Sequence, residues 1–312
     1  MPATLIFDNA NPSQLIVPPE MGEPAPDQLQ GTPWDNLCEL SGRVCYDSLG
    51  RGRSSAAYHQ HIREVVNLSV YRHATFTILM DRVIPAVVFL NRPSLWVEVD
   101  GPCWRVTLNL QHVREWDYWG VPGVGGNGLA VGLAGIARRF APLSCGDLKF
   151  DTENEDYGLI RYVEPRSEGE RWLSFFVTGV SRGLSHELVR HTAYCAPSQR
   201  STRYCDESDS PWIWHPLIDG IPIGTLAALR NAQHECQAVY DRVVHDLTEQ
   251  GHDRKAARGA ARGVLGNALG TELIFSASLA QWRRIVKQRN HPLADGEIKR
   301  LAAEIEAQLP AA

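Results

Sequence analysis

At residues 171–180 the chain reads RWLSFFVTGV, a strand-like apolar run, and it then passes into the polar stretch SHELVRHTAYCAPSQRSTRY at 185–204. No apolar run reaches the roughly 18 residues a membrane span needs, so an interior must be built from short elements like this one. The polar stretch gathers three arginines, two histidines and five serine or threonine hydroxyls. Such a concentration of donors directly behind an apolar run points to an anion site held against a folded core.

With 312 residues and 44% hydrophobic content, the chain can bury one large core or two small ones. Net charge is −5. A general basic field of the kind that drives non-specific nucleic-acid binding is therefore absent, and any anion site is local. Arginine far outnumbers lysine, which occurs only at Lys149, Lys255, Lys287 and Lys299. That bias suits bidentate phosphate recognition, although GC-rich codon usage is the plainer explanation. The seven cysteines include no CxxC pair, and the start MPATLIFDNANPSQ has neither a basic region nor a long apolar core. The expectation is a cytosolic protein with reduced thiols, no membrane span and no nucleic-acid partner.

Residues 1–30 are rich in proline and polar groups and read as an extended amino-terminal arm, leaving 31–312 as a single catalytic domain. Between 35 and 92 a helix around YHQHIREVVNL precedes a strand, ATFTILM. The stretch from about 93 to 170 is rich in tryptophan, glycine and loop residues and reads as an insertion. Beyond the apolar run, SRGLSHELVRHTA is helical, SQRSTRY is extended or turning, and 222–309 is mostly helical with breaks near Gly251, Gly266 and Pro292. The class is α/β (α+β), a mixed sheet with helices.

Three tempting motifs fail on spacing. GVGGNG at 123–128 lacks a following Lys-Ser/Thr and a placed acid, so it is a loop. HECQ at 234–237 has Ala238 where a zincin helix needs histidine, so no metal site is expected. His59 and His61 diverge by about 200° around a helix and read as surface residues. By contrast, Ser201 and Arg203 share a face of an extended segment, as do Gln199 and Ser201. A hydroxyl beside a guanidinium fork makes a compact phosphate clamp. In AARGVLGNALGTELIFSASLAQWRRIVKQR, read as two helices, Ser278 and Arg289 lie about three turns apart on the stripe of Trp282 and Ile285. An arginine on an apolar stripe calls for an anion to meet it.

Together these residues resemble the flavin-dependent thymidylate synthases, the ThyX family. RHTAYCAPSQRSTRY is similar to its Arg-His-Arg signature followed by Ser and an Arg-Tyr pair. SGRVCY at 41–46, LSVYRHATFT at 68–77 and the two carboxy-terminal helices match other family segments in order. The resemblance implies a ThyX-like fold assembled as a homotetramer. It also implies FAD, methylenetetrahydrofolate as one-carbon donor, NADPH as reductant and a uridine monophosphate as substrate. It implies as well that no protein nucleophile attacks the pyrimidine. By motif position, Ser201 and Arg203 bind the nucleotide phosphate, with Arg262 reaching in from a neighbouring subunit. Glu187 and Gln199 flank the nucleotide, and Arg289 faces the pyrimidine, so that Arg289 and Ser201 are the catalytic candidates. Ser69, Arg190, His191 and Ser278 fall at flavin-contacting positions.

Departures cluster on the flavin side. Thr192 replaces the signature's second arginine, one extra residue separates Arg190 from Ser201, Arg72 and Gly259 stand at glutamate positions, and Ser278 replaces an asparagine. The lengthened loop, YCAP, lies beside the sugar-binding region and points to altered sugar choice. UMP, dUMP or both are the expected substrates, as in the family's nucleoside-antibiotic branch that methylates UMP. A catalytically silent nucleotide-binding protein is the alternative.

Overall fold

The computed structural model describes residues 3–82, 94–119, 128–148 and 160–311. In chain order the elements are β1 (Ala3–Asp8), α1 (Pro33–Tyr46), α2 (Ser55–Glu64), β2 (Thr75–Asp81), β3 (Trp96–Asp100), β4 (Cys103–Asn109), α3 (Leu110–Trp119), α4 (Gly128–Phe140), α5 (Pro142–Cys145) and β5 (Ile160–Val163). There follow β6 (Trp172–Ser181), α6 (Arg182–Leu188), β7 (Cys195–Gln199), α7 (Ile223–Glu249), α8 (Arg254–Ala261), β8 (Gly270–Ser278), α9 (Leu279–Arg289) and α10 (Gly296–Glu306).

The apolar run becomes β6, at the centre of a four-stranded sheet ordered β1-β6-β8-β7. Its unbroken hydrophobicity follows from covering on both faces. Leu173, Phe175 and Val177 join one core with Trp282, Ile285 and Ile298 of α9 and α10, while Phe176 joins another with Leu37 and Leu40 of α1. Neighbouring residues of a strand point to opposite faces, so a doubly covered strand needs apolar groups at nearly every position. Each fully buried side chain of this size contributes about 1.5–3 kcal/mol. Trp282 locks α9 to the sheet, edge-on to Phe175 with centroids 5.0 Å apart, and its indole N–H donates to the Leu173 carbonyl at 2.9 Å.

A second four-stranded sheet is ordered β3-β4-β2-β5. The stretch read as an insertion therefore supplies three strands of this sheet, β4 and β5 on either side of β2 and β3 beyond β4, along with α3 to α5. Every strand pairing among the described residues is antiparallel, which corrects the expectation of a mixed sheet. The amino-terminal segment is extended but not free, because β1 pairs along β6 from Ala3–Val177 to Asp8–Leu173. The largest correction lies in 222–309, where GTELIFSAS is a strand, β8, and not a helix. It lies between β6 and β7 and is buried at eight of its nine positions, so it shows none of the alternation that marks a half-exposed strand. The glycine-rich 123–128 loop falls outside the described residues except for Gly128, which begins α4.

His59 also differs from expectation. It is fully buried, and its ring Nδ1 lies 3.3 Å from Ser144 Oγ. Among the described residues no helix is long and apolar enough to cross a membrane, and all seven cysteines are free thiols.

Candidate functional site

The polar stretch begins in α6, a two-turn helix capped at its start by Ser181, whose hydroxyl accepts from the Leu184 N–H at 3.0 Å. Ser181 itself is held by Glu297 of α10 through two 2.6 Å hydrogen bonds. This fixes the start of α6, and Glu187 lies in its last turn. From the other side, α9 ends on Arg289. The Arg289 guanidinium donates to the Glu187 carboxylate at 2.7 Å, to the Glu187 carbonyl at 3.2 Å and to His191 Nε2 at 3.0 Å. Glu187, His191 and Arg289 thus form one cluster. The anion that meets Arg289 is a carboxylate of the chain itself, where sequence reasoning looked to a ligand. Burial, together with Arg289, Arg284 and Arg190, pushes the His191 pKa below its usual value. The neutral ring can then accept the Arg289 N–H.

The helical-face argument for Ser278 does not hold. Ser278 closes β8 and caps α9, accepting from the Gln281 N–H at 3.2 Å, and it is fully buried. Its hydroxyl serves the helix end, a role worth about 1 kcal/mol.

Beside the cluster, Gln199 at the end of β7 donates to Ser185 Oγ at 2.8 Å and to Thr271 Oγ1 at 3.2 Å. The following turn is pinned by backbone. Arg200 N–H donates to the Glu272 carbonyl at 2.9 Å, Ser201 N–H to the Cys45 carbonyl at 3.0 Å, and the N–H groups of Tyr204 and Cys205 to the Ser201 carbonyl at 3.1 and 2.9 Å. Ser201 and Arg203 are therefore carried on a fixed loop, and the Arg203 N–H reaches Ser201 Oγ at 3.4 Å. Arg203 is exposed and lines a cavity of about 770 Å³ that includes neither Ser201 nor Arg289. Arg262 is exposed just past α8, close enough to Arg182 to help lower that residue's pKa after the larger effect of burial. Ser69 is exposed and donates to Asn67 Oδ1 at 3.0 Å, while Arg190 is exposed beyond α6.

Two contributors were not singled out from the sequence. His73 is buried, with Nδ1 2.7 Å from Ser276 Oγ and Nε2 2.9 Å from Ser198 Oγ; Ser276 continues to Ser174 at 2.6 Å. This chain ties β6, β8 and β7 together behind the Ser201 loop. Burial, reinforced by Arg72, drives the His73 pKa down to about 3, so the ring is neutral and its two nitrogens are one donor and one acceptor. Arg200 is the second. It lies between Asp47, Glu207 and Glu272 at 3.4 to 3.5 Å, and fixes the loop by charge. The only sequence signal for either was its place inside a quoted motif. Among the described residues no group of three or more His, Cys, Asp or Glu side chains could hold a metal ion.

Residues 172–311, from β6 through α10, match the family model of the thymidylate synthase complementing proteins. Over this segment the chain is similar to curated flavin-dependent thymidylate synthases. A flavin-dependent thymidylate synthase of Mycolicibacterium gilvum is 38% identical over 139 residues, which is 42% of this chain and 55% of the relative. The Mycobacterium avium enzyme is 38% identical over 141 residues, with the same shares, and that of Mycobacterium tuberculosis is 36% identical over 147, covering 45% of this chain and 58% of the relative. The chain thus spans about half the length of the curated relatives it matches. Among solved structures, Helicobacter pylori ThyX with FAD and dUMP is similar over 45% of this chain and 68% of its own, at 18% identity and a TM-score of 0.34. The segment shared with ThyX proteins contains Glu187, His191, Gln199, Ser201, Arg203, Arg262 and Arg289. Ser69 and the second sheet lie outside it.

Proposed function

We propose that this chain methylates C5 of a uridine 5'-monophosphate, UMP or dUMP, taking the carbon from methylenetetrahydrofolate. The observation that carries this reading is the Glu187–His191–Arg289 cluster lying within the ThyX segment beside the Gln199–Arg203 loop. In balance, the C5 hydrogen leaves as a proton, the methylene carbon bonds to C5 and takes a hydride, and tetrahydrofolate departs. Bound FAD, reduced by NADPH, supplies that hydride.

The chain's own residues bind and orient. Ser201 and Arg203 hold the nucleotide phosphate, joined by Arg262 of a neighbouring subunit in a homotetramer. Gln199 and Glu187 flank the nucleotide, and Arg289 faces the pyrimidine, where a fixed cation favours electron density arriving at C5. Arg190 and Ser69 suit the flavin's phosphates, since both are exposed and Arg190 has no carboxylate at ion-pair distance among the described residues. His191 offers a neutral ring to the same side, whereas the buried Ser278 acts only as a cap.

A second reading, a silent nucleotide-binding protein, draws on the saturation of Arg289 by Glu187 and His191. Steady-state methylation with UMP and dUMP tests the proposal. Turnover with either supports it, the ratio of the two kcat/KM values gives the sugar preference, and binding without folate-dependent turnover supports the silent reading. Discrimination by one hydroxyl is large only where the site hydrogen-bonds it.

A further inference from the structure

Two places where this chain differs from the ThyX pattern touch each other. Tyr194 lies in the loop lengthened between Arg190 and Ser201, and Trp96, on β3 of the second sheet, lies outside the matched segment. Their rings meet edge-on, at 69° with centroids 5.3 Å apart. Tyr194 holds φ at 54°, in the left-handed region that a residue with a side chain occupies only where its surroundings impose it. Those surroundings are the Trp96 ring and the Ser278 N–H, which donates to the Tyr194 carbonyl at 3.2 Å.

Trp96 is itself fixed by the turn before β6. Its indole N–H donates to Glu98 Oε1 at 2.7 Å, and the same oxygen accepts from Ser167 Oγ at 2.8 Å. The ring lies against Gly169, where a Cβ would come within 2.0 Å of it. The same turn holds the start of α9. The Arg171 carbonyl accepts the Leu279 N–H at 2.7 Å and the Glu168 carbonyl accepts the Ala280 N–H at 3.0 Å, donors that a helix leaves free in its first turn. One turn thus anchors both the helix that ends on Arg289 and the tryptophan that meets the loop after His191. Residues 192–194 alone join His191 to β7, so the loop has little length in which to absorb a displacement before it reaches the His191–Arg289 contact at 3.0 Å.

We propose that Trp96 is a positioning residue which, through Tyr194, sets the path of this loop and with it the seat of His191 against Arg289. The second sheet thereby acts on the Arg289 cluster without lining it. A shift of the His191 ring removes one of the three contacts that aim the guanidinium, and a charge placed for a developing negative centre loses its effect steeply on displacement. The inference rests on the proposed function only for this kinetic consequence, since the placement of His191 is a property of the fold. The Ser201 loop is anchored separately, by backbone hydrogen bonds to Cys45 and Glu272, so the effect falls on kcat and spares nucleotide affinity.

A pH titration of His191 by NMR tests this without turnover, using the full chain labelled at histidine ring Cε1, with the His191 signal identified by its loss in His191→Gln. Burial, with Arg289, Arg284 and Arg190, holds wild-type His191 below the ordinary 6.5. Trp96→Ala, Tyr194→Ala and Gly169→Ala, the last displacing the indole, should each raise the midpoint towards 6.5. Trp96→Phe, which keeps a ring against Tyr194, should stay at the wild-type value. The double variant Trp96→Ala/Tyr194→Ala should move no further than either single change, because both act through one contact. With UMP or dUMP, kcat of the alanine variants should fall about tenfold, the scale of one lost aromatic pair, and KM should change by less than about twofold. Thermal melting selects the variants that fold, and any one of the three decides. A folded variant whose His191 titrates as in wild type overturns the inference, as does a normal kcat beside a shifted His191. Absence of turnover in wild type, with the His191 midpoint still dependent on Trp96, would remove the proposed reaction and leave the placement of His191 by Trp96 standing.

Discussion

Arg289 and Glu187 close an ion pair 2.7 Å long between the ends of α9 and α6, and His191 takes the remaining edge of the guanidinium. Arg289→Ala should lower turnover by about 10²–10³, the scale of losing one preorganised charge-stabilising donor. Because the pair is partly exposed, the change should move stability by no more than about 1 kcal/mol. Steady-state kinetics beside thermal melting separates the two effects. Activity within a few-fold of wild type would remove Arg289 from the chemistry.

Ser201 sits on a loop pinned by backbone hydrogen bonds from both sides, so Ser201→Ala should leave the loop in place. Nucleotide affinity should fall about tenfold for one lost hydrogen bond to a charged group. Intact-protein mass measurement during turnover should reveal no covalent adduct on Ser201 of the wild type.

Two buried histidines give a pH dependence of stability. Burial lowers the His73 pKa to about 3 and that of His59 to about 4, against an ordinary value of 6.5. Between those values the unfolded chain binds the extra protons. Their contribution is therefore complete above about pH 6.5 and is lost as pH falls, by up to about 1.4 kcal/mol per pH unit for each ring. Denaturant midpoints at pH 7, 6 and 5 should fall steeply, and His73→Asn should flatten the fall. A flat profile would mean that the rings are charged or open to water.

Gly42 lets α1 pack against α2. A Cβ there would sit 1.7 Å from the Tyr58 hydroxyl oxygen and 3.2 Å from a Val70 methyl. Gly42→Ala should destabilise by about 1–3 kcal/mol through overpacking. Combining it with Tyr58→Phe, which removes the clashing oxygen, should recover part of the loss. A double-mutant cycle reads that coupling, and an additive result would contradict the packing.

The sequence disclosed elements whose pattern is local and missed those set by neighbours. RWLSFFVTGV was recognisable as a strand by composition, and α9 as a helix through the spacing of Trp282, Ile285 and Arg289. GTELIFSAS was not recognisable as a strand, because covering on both faces erased the period that separates strand from buried helix. The stretch from 93 to 170 looked irregular because its strands are short and β2, which joins β4 to β5, precedes them in the chain. Of the candidate residues, Glu187, His191 and Arg289 do meet. The carboxylate that satisfies Arg289 lies 102 residues away in sequence, and spacing cannot reveal such a partner. His73 was hidden for the same reason, since its meaning depends on serines from β7 and β8.

The most direct measurement is the mass of the nucleotide after the full-length protein is incubated with FAD, NADPH, methylenetetrahydrofolate and either UMP or dUMP. The account predicts a product heavier than the starting nucleotide by one methylene unit, formed only when folate and reduced flavin are both present. Recovery of both nucleotides unchanged, from a protein that is folded and has bound FAD, would contradict it.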